Sequence, residues 1–362
     1  MRAPRILSSL SGWLLLTIAV PALAQSVPTT PADTPSIRVG TTIFTDYSIQ
    51  QEPKITDADG NQVEQSQFEI TRAYINLTGN ASKRISFRLT TDVTRETGTG
   101  SALNGSYTLR LKFAYLQWNL DDALRSKDTY VRLGIQPTPW LVHMDEIYRY
   151  RFQGQEFEER DGYLNFADVG VSMHYTLPDG YGDVHTGLYN GEGYSHVDPN
   201  DQKGWMTRGT LRPFPRRGVL RGLQVNGFYD RDAYVSDAER RRTSASVTFE
   251  HRYVTAAYDT MRAIDQVTTA VAPLRGRAWS AWVVPKSTHG WEGLLRVDRI
   301  TPDADAAAQV RRREIAGVAY WFPHQGPVLT ALMLDLDDTR FAGFVPAQPR
   351  QRKLALHAML VF

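Results

Sequence analysis

The chain has 362 residues and no cysteine, which excludes disulfide bonds and thiolate metal sites. Its 41 Lys and Arg residues nearly balance its 39 Asp and Glu residues, so total charge selects no class of partner. No stretch of about eighteen apolar residues occurs after the amino-terminal segment, which excludes a transmembrane helix but leaves membrane strands open.

The amino-terminal segment has the features of a secretion signal. Arg2 and Arg5 precede an apolar run at residues 13–20, and Ala22-Leu23-Ala24 forms a small-residue cleavage site. We therefore predict a signal peptide at residues 1–24, a flexible leader rich in Ser, Thr and Pro at residues 25–36, and one folded unit at residues 37–362. Loss of Arg2 and Arg5 takes the 41 basic residues to 39, equal to the acidic count.

Sixteen strand-like segments follow, and the links between them alternate in length. Links after even-numbered strands are mostly tight turns, with residues 121–128 as the exception, and links after odd-numbered strands are mostly long and polar. The segments are 37–50, 67–78, 84–95, 108–120, 129–136, 168–177, 183–190, 204–212, 220–231, 241–252, 254–262, 277–285, 291–300, 313–322, 327–338 and 353–362. This rhythm predicts an all-β protein, a closed transmembrane antiparallel barrel with short periplasmic turns and longer outer loops. A fourteen-stranded barrel stays open as an alternative if a faint pair, such as the eighth or eleventh strand, is misread.

Charged and apolar side chains alternate along the predicted strands. In the third strand, Arg88 and Asp92 share one face, whereas Phe87 and Leu89 share the other. An arginine facing lipid at the bilayer midplane costs roughly 2–4 kcal/mol, so the charged faces should line a wet lumen. A soluble sheet would share this alternation, but it would not explain the alternating link lengths. A barrel of this size encloses an aqueous channel.

Several segments resemble the outer-membrane porins related to the phosphate-selective porins O and P. They are residues 66–77 (SQFEITRAYINL), 113–118 (FAYLQW), 131–139 (VRLGIQPTP), 187–193 (GLYNGEG) and 291–298 (WEGLLRVD). The carboxyl-terminal Phe362 looks like the outer-membrane assembly signal. The lysine cluster that phosphate-selective members carry near the constriction is not identified in this sequence.

The resemblance implies a sixteen-stranded barrel, usually trimeric, that passes small hydrophilic or anionic solutes. The longest link runs from Pro137 to near Asn165 and is the third outer loop. Nearly thirty residues without strand alternation favour a functional loop. In general porins this loop folds into the barrel and narrows it, and we expect the same here by resemblance.

The first candidate site is a ladder of arginines on the predicted lumen face: Arg72, Arg88, Arg110, Arg132, Arg208 and Arg296. A guanidinium carries a fixed charge and a planar set of donors suited to phosphate or carboxylate. The alternative is that these arginines pair with Asp92, Glu292 and Asp298 and only hold the wall.

The second candidate site is the long loop, with His143, Asp145, Glu146, Arg149 and Arg151 as predicted constriction residues. Charges of both signs at a constriction would create a transverse field that orients polar solutes. The alternative is an ordinary solvated outer loop.

The third candidate is an outer rim formed by Arg241, Arg242, Arg312 and Arg313. These residues could bind lipopolysaccharide phosphates or gather anions at the mouth, or they could be solvated strand ends. The histidines show no metal-ligand spacing, no Gly-rich phosphate loop is present, and no basic-aromatic stripe indicates nucleic acid.

The predicted function is passive diffusion of small hydrophilic solutes, anions such as phosphate among them, across a bacterial outer membrane. We expect no covalent chemistry and no cofactor. The expected partners are membrane lipid, lipopolysaccharide, the solutes, the outer-membrane barrel assembly machinery and two further copies of the chain. The alternatives are an outer-membrane barrel enzyme and a plugged structural or adhesive barrel.

Overall fold

The computed structural model describes residues 34–362, and this part of the chain forms one closed barrel of sixteen strands. The strands are β1 (Ser36–Thr56), β2 (Gln62–Asn80), β3 (Ile85–Arg95), β4 (Tyr107–Asn119), β5 (Tyr130–Pro137), β6 (Ala167–Thr176), β7 (Gly182–Tyr189), β8 (Gly204–Leu211), β9 (Leu223–Asp232), β10 (Arg240–His251), β11 (Val254–Asp265), β12 (Leu274–Pro285), β13 (Trp291–Thr301), β14 (Val310–Trp321), β15 (Leu329–Ala342) and β16 (Gln351–Val361). The predicted signal peptide and most of the leader lie outside the described residues.

Every strand is antiparallel to both neighbours, and β1 closes the barrel on β16 with Thr42 opposite Val361. The eighth and eleventh strands are both present, so the sixteen-strand prediction is confirmed and the fourteen-strand alternative is wrong. Closure leaves no unpaired sheet edge, which a β-structure within a bilayer requires.

The two faces of the wall separate as the alternation predicts. On β16, Leu354, Leu356 and Leu360 point outward, whereas His357 and Met359 are buried inside the barrel. The outer face is therefore apolar over the middle of the strands, and most charged side chains point into the lumen.

Link lengths follow the predicted alternation with two corrections. The first outer link is only residues 57–61, because β1 and β2 continue pairing beyond the segment where their hydrophobic alternation stops. A second even-numbered link is long: β8 and β9 are joined by residues 212–222, which include the 3-10 turn Gly218–Gly222. Strand ends at the barrel rim lie outside the apolar zone, so alternation alone misplaces them.

The third outer link, residues 138–166, is called loop 3. It contains the helices α2 (Pro139–Tyr148) and α3 (Phe157–Arg160), and a shorter helix, α1 (Asp121–Leu124), lies in a periplasmic link with the 3-10 turn Pro178–Gly180 in another. Pro139 occupies the first turn of α2, where a missing N–H costs nothing, and Arg149 ends the helix with a φ of 63°. Within residues 34–362, no helix is long and apolar enough to cross a membrane.

Loop 3 folds into the barrel and packs on inward-facing apolar side chains. Its residues Ile147, Tyr148, Tyr150 and Phe152 join one buried cluster with side chains of β1 and β11–β16. A second cluster places Trp140, Leu141 and Met144 against β4 and β7–β9. A third places Phe157 against β11–β13. The loop therefore crosses the lumen and contacts most of the wall.

Candidate functional site

The base of loop 3 is fixed to the barrel wall. The Thr138 hydroxyl donates to the carbonyl of Asn165 at 2.7 Å, which joins the two ends of the loop. Arg208 on β8 donates from Nε to the carbonyl of Pro139 at 3.0 Å and forms an ion pair with Asp183. Arg208 faces the lumen side, but its donors hold the start of α2.

The tip of loop 3 reaches the opposite wall. The Tyr150 hydroxyl donates to a carboxylate oxygen of Glu292 at 2.7 Å. Gln153 donates from Nε2 to Asp335 at 2.8 Å. These polar contacts accompany the large apolar cluster around the tip, so the tip is held in place by two independent kinds of interaction.

The returning arm of the loop meets a buried charge cluster. Arg296 on β13 lies 3.2 Å from Glu156 and 2.8 Å from Asp298. Arg160 of α3 reaches the same Asp298 at 2.8 Å. Arg296 is therefore enclosed between loop and wall, and its charge is balanced locally. Arg296, like Arg208, therefore serves to position loop 3.

An open space remains between loop 3 and the wall formed by β1–β4, β15 and β16. It is a cavity of about 110 Å³, enough for several water molecules. Its charged lining within the described residues comprises Arg88, Lys112, Arg149, Arg151, Asp145 and Glu146. Four cations and two carboxylates thus line this cavity, and two of the cations are paired with acids just outside the lining, Arg149 with Glu292 at 3.8 Å and Arg151 with Glu159 at 2.7 Å.

Among the charged residues that line the cavity, Lys112 is the one that was not predicted from the sequence. It is the extra residue of a β-bulge, because Thr90 and Thr91 of β3 face Phe113 and Leu111 of β4. The bulge turns both Lys112 and Phe113 inward, whereas strict alternation would place one of them on the lipid face.

Aromatic side chains surround the Lys112 ammonium. Nζ donates to the Tyr74 hydroxyl at 2.5 Å and lies 4.6 Å from the centre of that ring. The rings of Phe166 and Tyr194 lie 4.7 Å and 5.9 Å away. No carboxylate of residues 34–362 forms a salt bridge with it, and its side chain lines the cavity from a site almost completely buried among these rings.

Arg88 and Arg132 are held largely by neutral groups. Arg88 donates to Asn76 at 3.0 Å and lies over the Phe113 ring. Arg132 donates to Gln117 at 2.8 Å and stacks 4.0 Å from the Tyr130 ring. Hydrogen bonds and cation–π contacts orient a guanidinium without cancelling its charge. These two arginines fit the predicted anion pathway.

Arg72 and Arg110 each have an acidic neighbour. Arg110 pairs with Asp92 at 3.1 Å, as the alternative interpretation of the ladder proposes. Arg72 lies 4.0 Å from Glu159 of loop 3 and donates to the Tyr74 hydroxyl. All six predicted arginines therefore point inward, but they divide into those that pair with carboxylates and those, Arg88 and Arg132, that are buried among neutral hydrogen-bond partners and aromatic rings.

Four of the five predicted constriction residues line the cavity: Asp145, Glu146, Arg149 and Arg151. Arg151 bridges Asp145 at 3.4 Å and Glu159 at 2.7 Å, which fixes its position. His143 instead lies against the wall, where Nε2 is 2.9 Å from Asn226. His143 is a contact between α2 and β9 and does not line the cavity.

Burial affects the loop glutamates on the returning arm. Removal from water raises the pKa of Glu156 to about 8, although the nearby Arg296 opposes the rise. Burial also raises the pKa of Glu158 to about 7, opposed by the Trp140 indole N–H that donates to it at 2.8 Å. A raised pKa means that the packed loop favours the protonated form.

Loop 3 should therefore be packed most firmly at low pH. Its stability contribution from Glu156 is fully present below the unfolded pKa of about 4.3 and is lost as pH rises through about 8. Hydrogen exchange of residues 147–160, corrected for intrinsic rates, should show decreasing protection over that range. Glu156→Gln should flatten the dependence, leaving the smaller contribution of Glu158. Glu64→Gln, an exposed control on β2, should change nothing, and equal slopes in all three proteins would contradict the assignment.

The predicted outer rim requires a correction. Arg241 and Arg312 point outward, but Arg242 and Arg313 point into the barrel. Arg242 donates to the carbonyl of Tyr163 and pairs with Asp265, and Arg313 pairs with Asp337. These residues belong to two runs of three arginines, at 240–242 and 311–313. Successive residues of a strand lie on opposite faces, so each run must divide between lumen and exterior.

Phe362 completes the closure of the barrel. Its backbone N–H donates to the carbonyl of Thr41 at 3.0 Å, and its carbonyl accepts from Thr41 at 2.9 Å. The side chain is exposed on the outer surface.

Comparison with known proteins gives one family and many similar folds. The family model described as phosphate-selective porin O and P matches residues 47–273, more than half of the 362-residue chain. No curated protein matches the chain.

Solved structures with a similar fold include the anion-selective porin from Comamonas acidovorans, with a TM-score of 0.62, 11% identity, and coverage of 91% of this chain and 100% of that one. Outer-membrane expressed OmpT of Vibrio cholerae has a TM-score of 0.62 at 11% identity, covering 91% and 99%. The outer membrane channel DcaP of Acinetobacter baumannii has a TM-score of 0.57 at 11% identity, covering 92% and 100%. At these identities the likeness shows the fold alone.

Proposed function

Because this chain belongs to the phosphate-selective porin O and P family, we propose that its outer-membrane barrel is a passive channel that favours small anions such as phosphate. One observation carries the anion preference: Lys112 lines the cavity between loop 3 and the wall, and no carboxylate of residues 34–362 forms a salt bridge with it. Its positive charge would lower the energy of an anion in this cavity, where a solute loses part of its water.

In the proposed mechanism, the wall and loop 3 carry opposite charges on the two sides of the cavity. Arg88 and Lys112 supply a positive wall, with Arg88 donating to Asn76 and Lys112 donating to the Tyr74 hydroxyl. Asp145 and Glu146 supply a negative loop edge on the other side of the cavity. A polar solute would cross this transverse field with its anionic group turned toward the wall.

Bilayer recordings test this function. Refolded protein under a tenfold KCl gradient should open stepwise channels with a zero-current potential of the anion-selective sign. Added phosphate should reduce the chloride current because both anions share one narrow pathway. Stepwise channels with the cation-selective sign would refute the anion preference and leave the porin assignment intact.

A plugged barrel is the second candidate, and one observation favours it. Loop 3 crosses the lumen and packs on the wall through three buried apolar clusters. A protein of this kind would insert into the bilayer without opening channels. The same recordings therefore separate the two candidates.

Export and assembly are further parts of the proposal. We infer that the signal peptide is removed after Ala24, which intact mass measurement would establish, and that the assembly machinery recognises Phe362. A trimer is supported by the similar fold of in-vitro folded OmpT of Vibrio cholerae, which is described as a trimer form. Membrane lipid and lipopolysaccharide would surround the barrel.

A further inference from the structure

A row of outward-facing arginines crosses the outer ends of six neighbouring strands. We call it the arginine belt, and its members are Arg231, Arg241, Arg262, Arg277, Arg299 and Arg312, one on each strand from β9 to β14. Each alternates with residues buried inside the barrel, such as Asp230, Met261 and Ile300, so each points away from the lumen. The belt is separate from the constriction on the inner face.

The strand register brings these arginines together in pairs. Arg231 lies opposite Arg241, Arg262 lies opposite Arg277, and Arg299 lies opposite Arg312. Directly opposed residues of an antiparallel pair have Cβ atoms about 5 Å apart, and like charges in that arrangement repel. Three such pairs on one surface are unfavourable unless anions lie between them.

The protein itself supplies few of those anions. Arg241 and Arg312 have exposed carboxylates nearby, Glu239 at 3.0 Å and Glu314 at 2.5 Å. Across residues 34–362, no salt bridge involves Arg231, Arg262, Arg277 or Arg299. The belt therefore has an unbalanced positive charge on the outer surface of the wall.

Aromatic side chains show where the belt lies relative to the bilayer. Tyr229 and Trp279 face outward two residues closer to the middle of the barrel than Arg231 and Arg277, a distance of roughly 7 Å along a strand. Tyr229 packs against Trp205, and Trp279 packs against Tyr258. Aromatic girdles of membrane barrels mark the boundary of the apolar zone. The arginines thus lie at the level of the outer headgroups.

The belt lies on one side of the barrel, where Arg340 of β15 continues the row opposite Arg312. Outward-facing positions near the outer ends of β2, β4 and β6 carry Phe68, Leu109 and Val169, all with exposed side chains. Arg95 at the outer end of β3 is paired with Glu69, and Arg340 is paired with Asp338. The continuous row of arginines on β9–β14, four of them without a salt bridge among residues 34–362, therefore favours an anionic neighbour on that side.

We propose that the arginine belt binds the phosphate groups of an anionic glycolipid in the outer leaflet. Each opposed pair offers two planar donor sets to one phosphate, which would neutralise the repulsion between them. A lipid headgroup is favoured over free phosphate because the belt lies beside the apolar surface that acyl chains cover. The proposal is independent of conduction through the lumen.

Diphosphoryl lipid A is the probe that tests the proposal. Its binding to refolded protein in an uncharged detergent can be followed by native mass spectrometry and by the thermal unfolding midpoint. Wild-type protein should bind it and unfold at a higher temperature. Arg262→Gln with Arg277→Gln should weaken binding by about 30-fold, since each basic residue near an anionic surface contributes about fivefold. Arg299→Gln with Arg312→Gln should weaken it similarly.

The control is Arg221→Gln with Arg252→Gln, which removes the same charge from exposed periplasmic links and should leave binding unchanged. Without lipid, the belt variants should unfold at the same or a higher temperature than wild type, because repulsion is relieved. Equal binding of dephosphorylated lipid A, an equal stabilisation by inorganic phosphate, or undiminished binding by both belt variants would overturn the proposal.

Discussion

Replacing Lys112 with methionine should lower the chloride-to-potassium permeability ratio by about fivefold. A unit charge about 4 Å from a solute contributes roughly 1 kcal/mol even in a water-like dielectric, and the effective dielectric constant of the cavity is lower than that of bulk water. Methionine keeps the length of the side chain and packs favourably against the Tyr74 and Phe166 rings, so the wall should stay intact. The zero-current potential under a KCl gradient measures the change.

Lys127→Met is the matched control for this experiment. Lys127 is exposed in the periplasmic link between β4 and β5, so its replacement removes the same charge far from the cavity. Its potential should equal that of the wild type. If Lys112→Met behaved like this control, the aromatic-enclosed lysine would have no part in selectivity.

Removing residues 148–158 should raise the single-channel conductance several-fold. This segment carries Tyr150, Phe152 and Gln153, which span the lumen and contact the far wall. Its loss should widen the path and also weaken ion selectivity, because a wider lumen screens wall charges with more water. Planar bilayer recording gives both quantities.

A deletion of residues 98–104 in the second outer loop provides the comparison. It shortens an exposed loop without touching the lumen clusters, and the conductance should stay at the wild-type value. Folding of both deletions can be checked by the β-sheet signal in circular dichroism. Unchanged conductance in a folded 148–158 deletion would show that the loop tip does not limit the current.

Strand number and facing were predictable because lipid imposes a strict rule on the outer face. A two-residue period such as Leu354, Leu356 and Leu360 survives in a single sequence, since a charge at any of these positions would be costly. The inward direction of Arg88, Arg132 and Arg296 follows from the same rule.

Lys112 was overlooked although alternation from Arg110, two residues earlier, places it on the lumen face. The bulge reverses the alternation for Phe113 and the residues after it, and only pairing with β3 shows where the extra residue lies. The role of Arg296 in holding loop 3 could not be predicted from the sequence either. Its partner Glu156 lies 140 residues earlier along the chain, in a loop whose path depends on packing across the lumen.

The pairing of arginines between strands could not be predicted from the sequence either. Alternation requires that the two arginine runs divide between the two faces, but cross-strand register is needed to see that Arg299 and Arg312 lie opposite one another. Register depends on link lengths and bulges, so it is fixed by the assembled barrel.

The most direct test of a wet, positively charged constriction uses the absence of cysteine in the chain. Thr42 lines the cavity on β1, and Thr42→Cys would place a single thiol there. A negatively charged thiosulfonate reagent should modify this thiol several-fold faster than a positively charged one of similar size and should reduce the current. Ala281→Cys, on the lipid-facing side of β12, should react with neither. Failure of both reagents at Thr42→Cys, or faster reaction of the cationic reagent, would contradict the account.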